Sequence, residues 1–148
     1  MTAGGGRGIG RAGQLLAAWL CLTLIGGCPL RPSEPESRAA YFIEKLIREP
    51  QAVEDLQAVA VFPAERGPEA FLDDLPVRTA LMYLRARARL GAELGIHTGG
   101  ASTPAPDRRR VAVSVSEGLV IGATEAVRFQ VELSRRDDQW MVTRLSAD

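Results

Sequence analysis

The feature that most constrains the fold is the strict alternation of apolar and polar residues from Val111 onward. Val111, Val113 and Val115 alternate with Ala112, Ser114 and Ser116, and Val127, Phe129, Val131 and Leu133 alternate with Arg128, Gln130, Glu132 and Ser134. Side chains two apart share one face of a strand, so each run predicts a strand with one face buried and the other in water. The polar stretch Arg135 to Gln139 turns the chain, and Trp140 to Leu145 is expected to return as an antiparallel partner. Glu117-Gly118 marks a further turn, into a short strand over Leu119 to Gly122.

Upstream the period changes. Ala39, Phe42, Ile43, Leu46 and Ile47 recur at helical spacing with Arg38, Glu44, Lys45 and Arg48 between them, which predicts an amphipathic helix over Arg38 to Arg48, stopped by Pro50. Ser33-Glu34-Pro35-Glu36 has the form of a capping box with proline in the first turn, and Ser37 is a rival cap. A second helix is expected from Gln51 to Val61, presenting Val53, Leu56, Val59 and Ala60. After a helical turn at Glu69 to Leu75, the longest helix is predicted over Pro76 to Leu94, capped by Asp73 or Asp74. Its apolar line is Val77, Ala80, Leu81, Leu84, Ala88 and Leu94, and Arg85, Arg87 and Arg89 read as solvated surface. Gly95 to Arg110, rich in glycine and proline, is expected to be a loop. Helices first and strands afterwards give an α+β class, with N-terminal amphipathic helices packed on one face of a C-terminal antiparallel β-meander.

The N-terminal region carries an address. Met1 to Gln14 contain Arg7 and Arg11 and no acidic residue, Leu15 to Ile25 are an apolar run, and Gly26-Gly27 follow. This is the layout of a secretory signal peptide. As a helix the run rises about 16 Å, roughly half of the ~30 Å hydrocarbon core, so it is read as removable rather than membrane-spanning. Ile25-Gly26-Gly27-Cys28 resembles the lipobox of bacterial lipoproteins. That resemblance implies cleavage between Gly27 and Cys28, a thioether-linked diacylglycerol on Cys28, and a further acyl chain such as palmitate on the new amino terminus. Several chains together give durable attachment where a single chain gives marginal binding. The expected organisation is a signal peptide over 1–27, a Pro-rich tether over 28–36 and one α+β domain over 37–148. Pro29, Pro32 and Pro35 favour an extended tether of about 20–25 Å at most. The expected location is the bacterial envelope, with the domain facing the periplasm. The outer membrane is favoured over the inner because proline, not aspartate, follows the cysteine.

Several function classes drop out. Cys21 leaves with the signal and Cys28 is consumed by lipid, so no thiol remains for catalysis, for a metal or for a disulfide. The precursor balances 18 basic against 18 acidic residues; losing Arg7 and Arg11 leaves a slightly acidic mature chain, with no global electrostatic case for nucleic acid. Gly8-Ile9-Gly10-Arg11-Ala12-Gly13 fits the dinucleotide fingerprint literally, but it precedes an export signal rather than sitting in a βαβ unit. His97, the sole histidine, lies in a Gly-rich stretch that offers no support for general-base work. Asp73-Asp74 and Asp137-Asp138 read as cap and turn residues. No metal and no cofactor is expected. Arg108 to Arg110, the densest charge, reads as a soluble flank that limits strand aggregation; contact with anionic headgroups near the anchor is the alternative.

The final hairpin, from Phe129 through the polar turn to Trp140-Met141-Val142, resembles the closing hairpin of the NTF2-like (SnoaL-like, cystatin-fold) superfamily. Its members often carry a strand and a further helix in the position of Gly95 to Arg110, which here reads as loop. Tyr41, Phe129 and Trp140 are candidates to line a pocket between helices and sheet, and equally to fill the core. As a core residue, Trp140 predicts a loss of about 3–5 kcal/mol on replacement by alanine. The functional expectation is a lipid-anchored, non-enzymatic interaction or accessory domain with a protein partner in the envelope. The alternatives are an NTF2-like pocket for a small ligand and, last, an isomerase or hydrolase.

Overall fold

The structure is a computed structural model that describes residues 34–63, 65–118 and 126–148. The chain divides into Met1–Arg31 and Pro32–Asp148, and every described residue belongs to the second unit. Cys28, the lipobox, Ser33 and the strand expected at Leu119 to Gly122 lie outside the described residues.

Helix α1 spans Pro35–Arg48 and buries Arg38, Ala39, Phe42, Ile43, Leu46 and Ile47. Proline at the first helical position costs no hydrogen bond, because that N–H is an orphan in any helix. The N-cap is Glu34, with no side-chain cap bond, and Ser37 sits inside the first turn; the expected serine cap is replaced by the proline start. Lys45 and Arg48 complement the negative C-terminal end of the helix.

Helix α2, Val53–Gln57, is shorter than expected. From Val59 the chain leaves the helix and runs along strand β4, where the Val142 N–H donates to Val59 O at 2.8 Å and the Val61 N–H donates to Val142 O at 2.8 Å. The gain is shared. β-branched Val59 and Val61 suit extended backbone, and the outer edge of β4 is covered rather than left open. A 3₁₀ helix at Gly67–Leu72 then places Phe71 edge-on to Phe42, with ring centroids 5.0 Å apart.

Helix α3 spans Leu75–Arg89, so it ends five residues before the expected Leu94. Gly91 takes φ +84, its N–H donates to Ala88 O at 3.0 Å, and the Ala92 N–H donates to Arg87 O at 3.0 Å. This pair of bonds is the Schellman termination, which needs a left-handed residue one place beyond the cap. A Cβ at Gly91 would meet nothing within 4 Å, so only the backbone resists substitution. Gly91→Ala is therefore expected to cost about 1 kcal/mol, read as a drop of a few degrees in melting temperature; an unchanged melt would show that the helix ends by other means.

The four strands are β1 (Leu94–Ala105), β2 (Arg108–Glu117), β3 (Val127–Arg136) and β4 (Gln139–Ala147). They form one antiparallel sheet in chain order β1-β2-β3-β4. The loop expected at Gly95 to Arg110 is thus a hairpin, turning at Pro106-Asp107. Its glycines and Pro104 are tolerated because β1 is an edge strand that bonds on one side only. Register shifts between Thr98 and Ala101 and between Ser102 and Ala105 bend it. β2 and β3 bury Val111, Val113, Val115, Phe129, Val131 and Leu133, as their alternation predicts.

β4 breaks the two-residue period. Leu133 pairs with Val142 while Glu132 pairs with Arg144, so Thr143 is an extra residue in the ladder. That bulge lets Val142 and Leu145, three apart, both point into the core. The β3–β4 turn holds Asp137 at φ 48 and Asp138 at φ 62, the left-handed pair of a two-residue hairpin loop. Helices α1 and α3 lie on the face that carries the valines, giving the α+β arrangement of helices followed by a four-stranded meander.

Candidate functional site

The three residues singled out for a pocket do not share one. Phe129 is wholly enclosed in the core and has no surface to offer a ligand. Tyr41 is half-buried on α1, with Lys45 Nζ 5.7 Å from its ring centroid. Trp140 is half-buried at the start of β4, with the Arg109 guanidinium 5.0 Å from its ring centroid. The cost expected for an enclosed indole therefore does not apply in full to Trp140. Between α3 and the sheet, a cavity of about 90 Å³ is lined by residues including Tyr83, Leu84, Leu94 and Val115. Small-ligand pockets run to about 300–1,000 Å³.

The other candidates are occupied or exposed. His97 lies exposed on β1 opposite Ser114, and its backbone oxygen accepts from Ser114 Oγ at 3.4 Å. Asp73 accepts from Arg66 at 2.9 Å. That bond, reinforced by the charges of Arg66 and Arg78, holds the carboxyl below its ordinary value. Asp74 is the N-cap residue of α3 but makes no side-chain cap bond. Among the described residues, no three His, Cys, Asp or Glu side chains group as a metal would need.

Of the arginines expected to be solvated on α3, Arg89 is exposed, whereas Arg85 and Arg87 are engaged. Arg85 Nε donates to Leu46 O at 2.8 Å, and burial, aided by Arg89, pushes its guanidinium below the ordinary value. Arg87 is ion-paired with Glu117 across to β2, which pushes its guanidinium up.

Charge converges instead where the two hairpins turn. Antiparallel pairing sets Arg108 opposite Ser134 and Arg109 opposite Leu133, and the Arg135 N–H donates to Asp107 O at 2.8 Å. Arg108, Arg109 and Arg110 thus meet Arg135 and Arg136 around a concavity of about 530 Å³. Arg110 pairs with Glu132 at 2.8 Å and Arg135 with Asp138 at 3.1 Å, all four being partly or largely exposed. Arg108 and Arg136 have no side-chain partner among the described residues.

Arg38 joins this end to the helices, a role not read from the sequence. It is only 5 % exposed. Its Nη1 donates to Trp140 O at 2.7 Å and to Ala58 O at 3.4 Å, and its Nη2 donates to Gln139 Oε1 at 3.5 Å. The first turn of α1, the end of α2 and the start of β4 are tied together through one guanidinium.

The architecture defines the class: an α+β domain with N-terminal helices on one face of a four-stranded antiparallel meander. No protein-family model matches the chain, and no curated protein matches it. Among solved structures, the crystal structure of Kfla4162 protein from Kribbella flavida is similar over 78% of this chain and 93% of that one, with 18% identity and a TM-score of 0.34.

Proposed function

We propose that the chain is a lipid-anchored lipoprotein of the bacterial envelope whose folded domain works through protein contacts rather than catalysis. The observation that carries this reading is the segment Leu15 to Cys28: a short apolar run behind two arginines, a pair of glycines, then a cysteine in register. An anchor there is compatible with the fold. The first helix begins at Pro35, and residues 34–148 contain no cysteine, so acylation of Cys28 takes nothing from the core. Among the described residues no helix is long and apolar enough to cross a membrane.

Two features favour contacts over ligand chemistry. The helix–sheet cavity of about 90 Å³ has room for only a few waters, and His97 is exposed on the edge strand β1. Exposed Leu75, Met82, Tyr83 and Leu90 on and just after α3 are the kind of apolar surface that protein partners cover.

Cys28→Ala is expected to abolish acyl labelling and to leave an uncleaved precursor in cells. Normal processing of that variant would point to ordinary secretion. The partner is sought by in-cell crosslinking of the processed protein; a protein that forms no crosslink and turns over a small substrate would overturn the non-enzymatic reading.

A further inference from the structure

Resting on the reading of a domain that works through protein contacts, we propose that the outer face of α3 docks an acidic amphipathic helix of a partner protein. The partner's apolar stripe lies along Leu75, Met82 and Leu90, and its carboxylates reach Arg85 and Arg89.

The helical period builds the face. At ~100° per residue, Leu75, Thr79, Met82, Tyr83, Ala86 and Leu90 fall within an arc of about 100°, and all six are exposed. Val77, Leu81 and Leu84, which α3 buries, lie roughly opposite, so the helix has two apolar sides and the domain uses one. Leu75 is 60 %, Met82 64 % and Leu90 79 % exposed. A single exposed leucine carries no meaning, whereas three large apolar side chains in line form a patch of the kind partners cover. The shorter Thr79 and Ala86 stand between them, leaving gaps into which the side chains of a facing helix fit.

Charge names the occupant. α3 carries four arginines and no carboxylate. Two are answered within the domain: Arg87 pairs with Glu117, and Arg78 stands beside Asp73, Glu65 and Glu69. Arg85 and Arg89, on the border of the apolar arc away from Tyr83, are not. Arg85 Nε donates to Leu46 O at 2.8 Å, while its Nη donors and the Arg89 guanidinium have no hydrogen-bond partner among the described residues. Burial and the neighbouring Arg89 both disfavour the Arg85 cation, and Glu69 offsets this only in part. With Arg48 from the end of α1, the two line a concavity of about 350 Å³ whose described lining holds no carboxylate. Glu44, Glu49 and Asp55 are close by but bonded to Arg48 and Lys45. What the face offers is therefore directed donors, two guanidinium forks beside an apolar strip, and such forks match carboxylates. A second copy supplies no complement, because its α3 has no carboxylate either. A bilayer is served by basic residues on both borders of an apolar strip; here the open ones stand on a single border, matching a helix with carboxylates along one flank.

The test places the photoreactive side chain benzoylphenylalanine at Tyr83 of the full-length protein in bacterial cells, with mass spectrometry of the adduct formed on irradiation. The expected adduct is with a partner segment that is acidic and amphipathic at helical spacing. Its yield should fall about tenfold in Arg89→Glu and about threefold in Met82→Gln, and should hold in Arg136→Glu, an equal charge reversal on the sheet. All three positions are exposed, so melting temperatures should be unchanged. An adduct with lipid, an adduct of two copies of this chain, a partner segment without carboxylates, or a yield indifferent to Arg89→Glu would each overturn the proposal. A probe at Tyr83 that stays unreacted while the same probe at His97, exposed on β1, captures a protein would overturn the α3 site and leave the protein-contact reading standing. No protein adduct from probes spread over the whole exposed surface would overturn both.

Discussion

Phe42→Ala is expected to lower stability by about 3–5 kcal/mol, the range for emptying an enclosed aromatic site. Phe42 is wholly buried midway along α1, and its edge-on contact with Phe71, centroids 5.0 Å apart at 69°, is what seats the 3₁₀ helix on the helical layer. Phe71 in turn meets Phe62 at 6.1 Å, so removing Phe42 takes one end from a three-ring stack. A domain of this size has a total stability of about 5–15 kcal/mol. The loss is therefore a large share of it and corresponds to a fall of roughly 10–20 °C in melting temperature. Met82→Ala makes the control: Met82 is 64 % exposed on α3, and its truncation should fall within about 0.5 kcal/mol. Thermal melts of the two variants side by side decide the matter. Similar melting temperatures would mean that Phe42 does not seat the 3₁₀ helix on the helical layer.

The elements that were legible in the sequence are those whose two faces meet different surroundings. β2 and β3 are inner strands with helices on one side, so Val111 to Val115 and Val127 to Leu133 carry the two-residue period openly. α1 shows its period for the same reason. β1 has no such contrast: most of its residues from His97 to Pro104 are exposed, so its composition is that of a loop and its strand character lies in pairing with β2. The length of the apparent loop was the available signal, since sixteen structureless residues are unusual inside a compact domain. Helix α2 was read too long because Val59 and Ala60 fit a helical face as well as the edge of β4, and only the edge of β4 decides between them.

The arginine end was half legible. Arg108 to Arg110 stands out in the sequence, whereas its meeting with Arg135 and Arg136 depends on register, and register follows from pairing Val111 with Val131. The alternation of both strands contains that register, but only once the connection between them is known to bring them back antiparallel. Arg38 was obscured by its charge. It lies four residues before Phe42, which places it on the buried stripe of α1, and a charged residue on that stripe is the signature of a side chain recruited to bond backbone carbonyls.

Arg38→Ala is expected to cost about 2–4 kcal/mol, more than an exposed arginine allows. The guanidinium supplies donors to Trp140 O and Ala58 O, and hydrogen bonds from a charged donor contribute about 1.5–3 kcal/mol, with loss of the buried aliphatic stem in addition. Arg38→Lys keeps one point donor in place of a planar fork and should recover only part of the loss. The damage should be local before it is global. The exchange between Val59, Val61 and Val142, which closes the outer edge of β4, lies directly beyond the two carbonyls that Arg38 holds, Ala58 O on one segment and Trp140 O on the other. Hydrogen exchange at the Val61 and Val142 amides should therefore accelerate in Arg38→Ala by more than at Val113 and Val131 in the sheet centre, while urea melts report the total. Arg38→Ala with wild-type stability, or with protection lost evenly across the sheet, would mean that the edge of β4 is held by its own backbone bonds and owes nothing to the guanidinium.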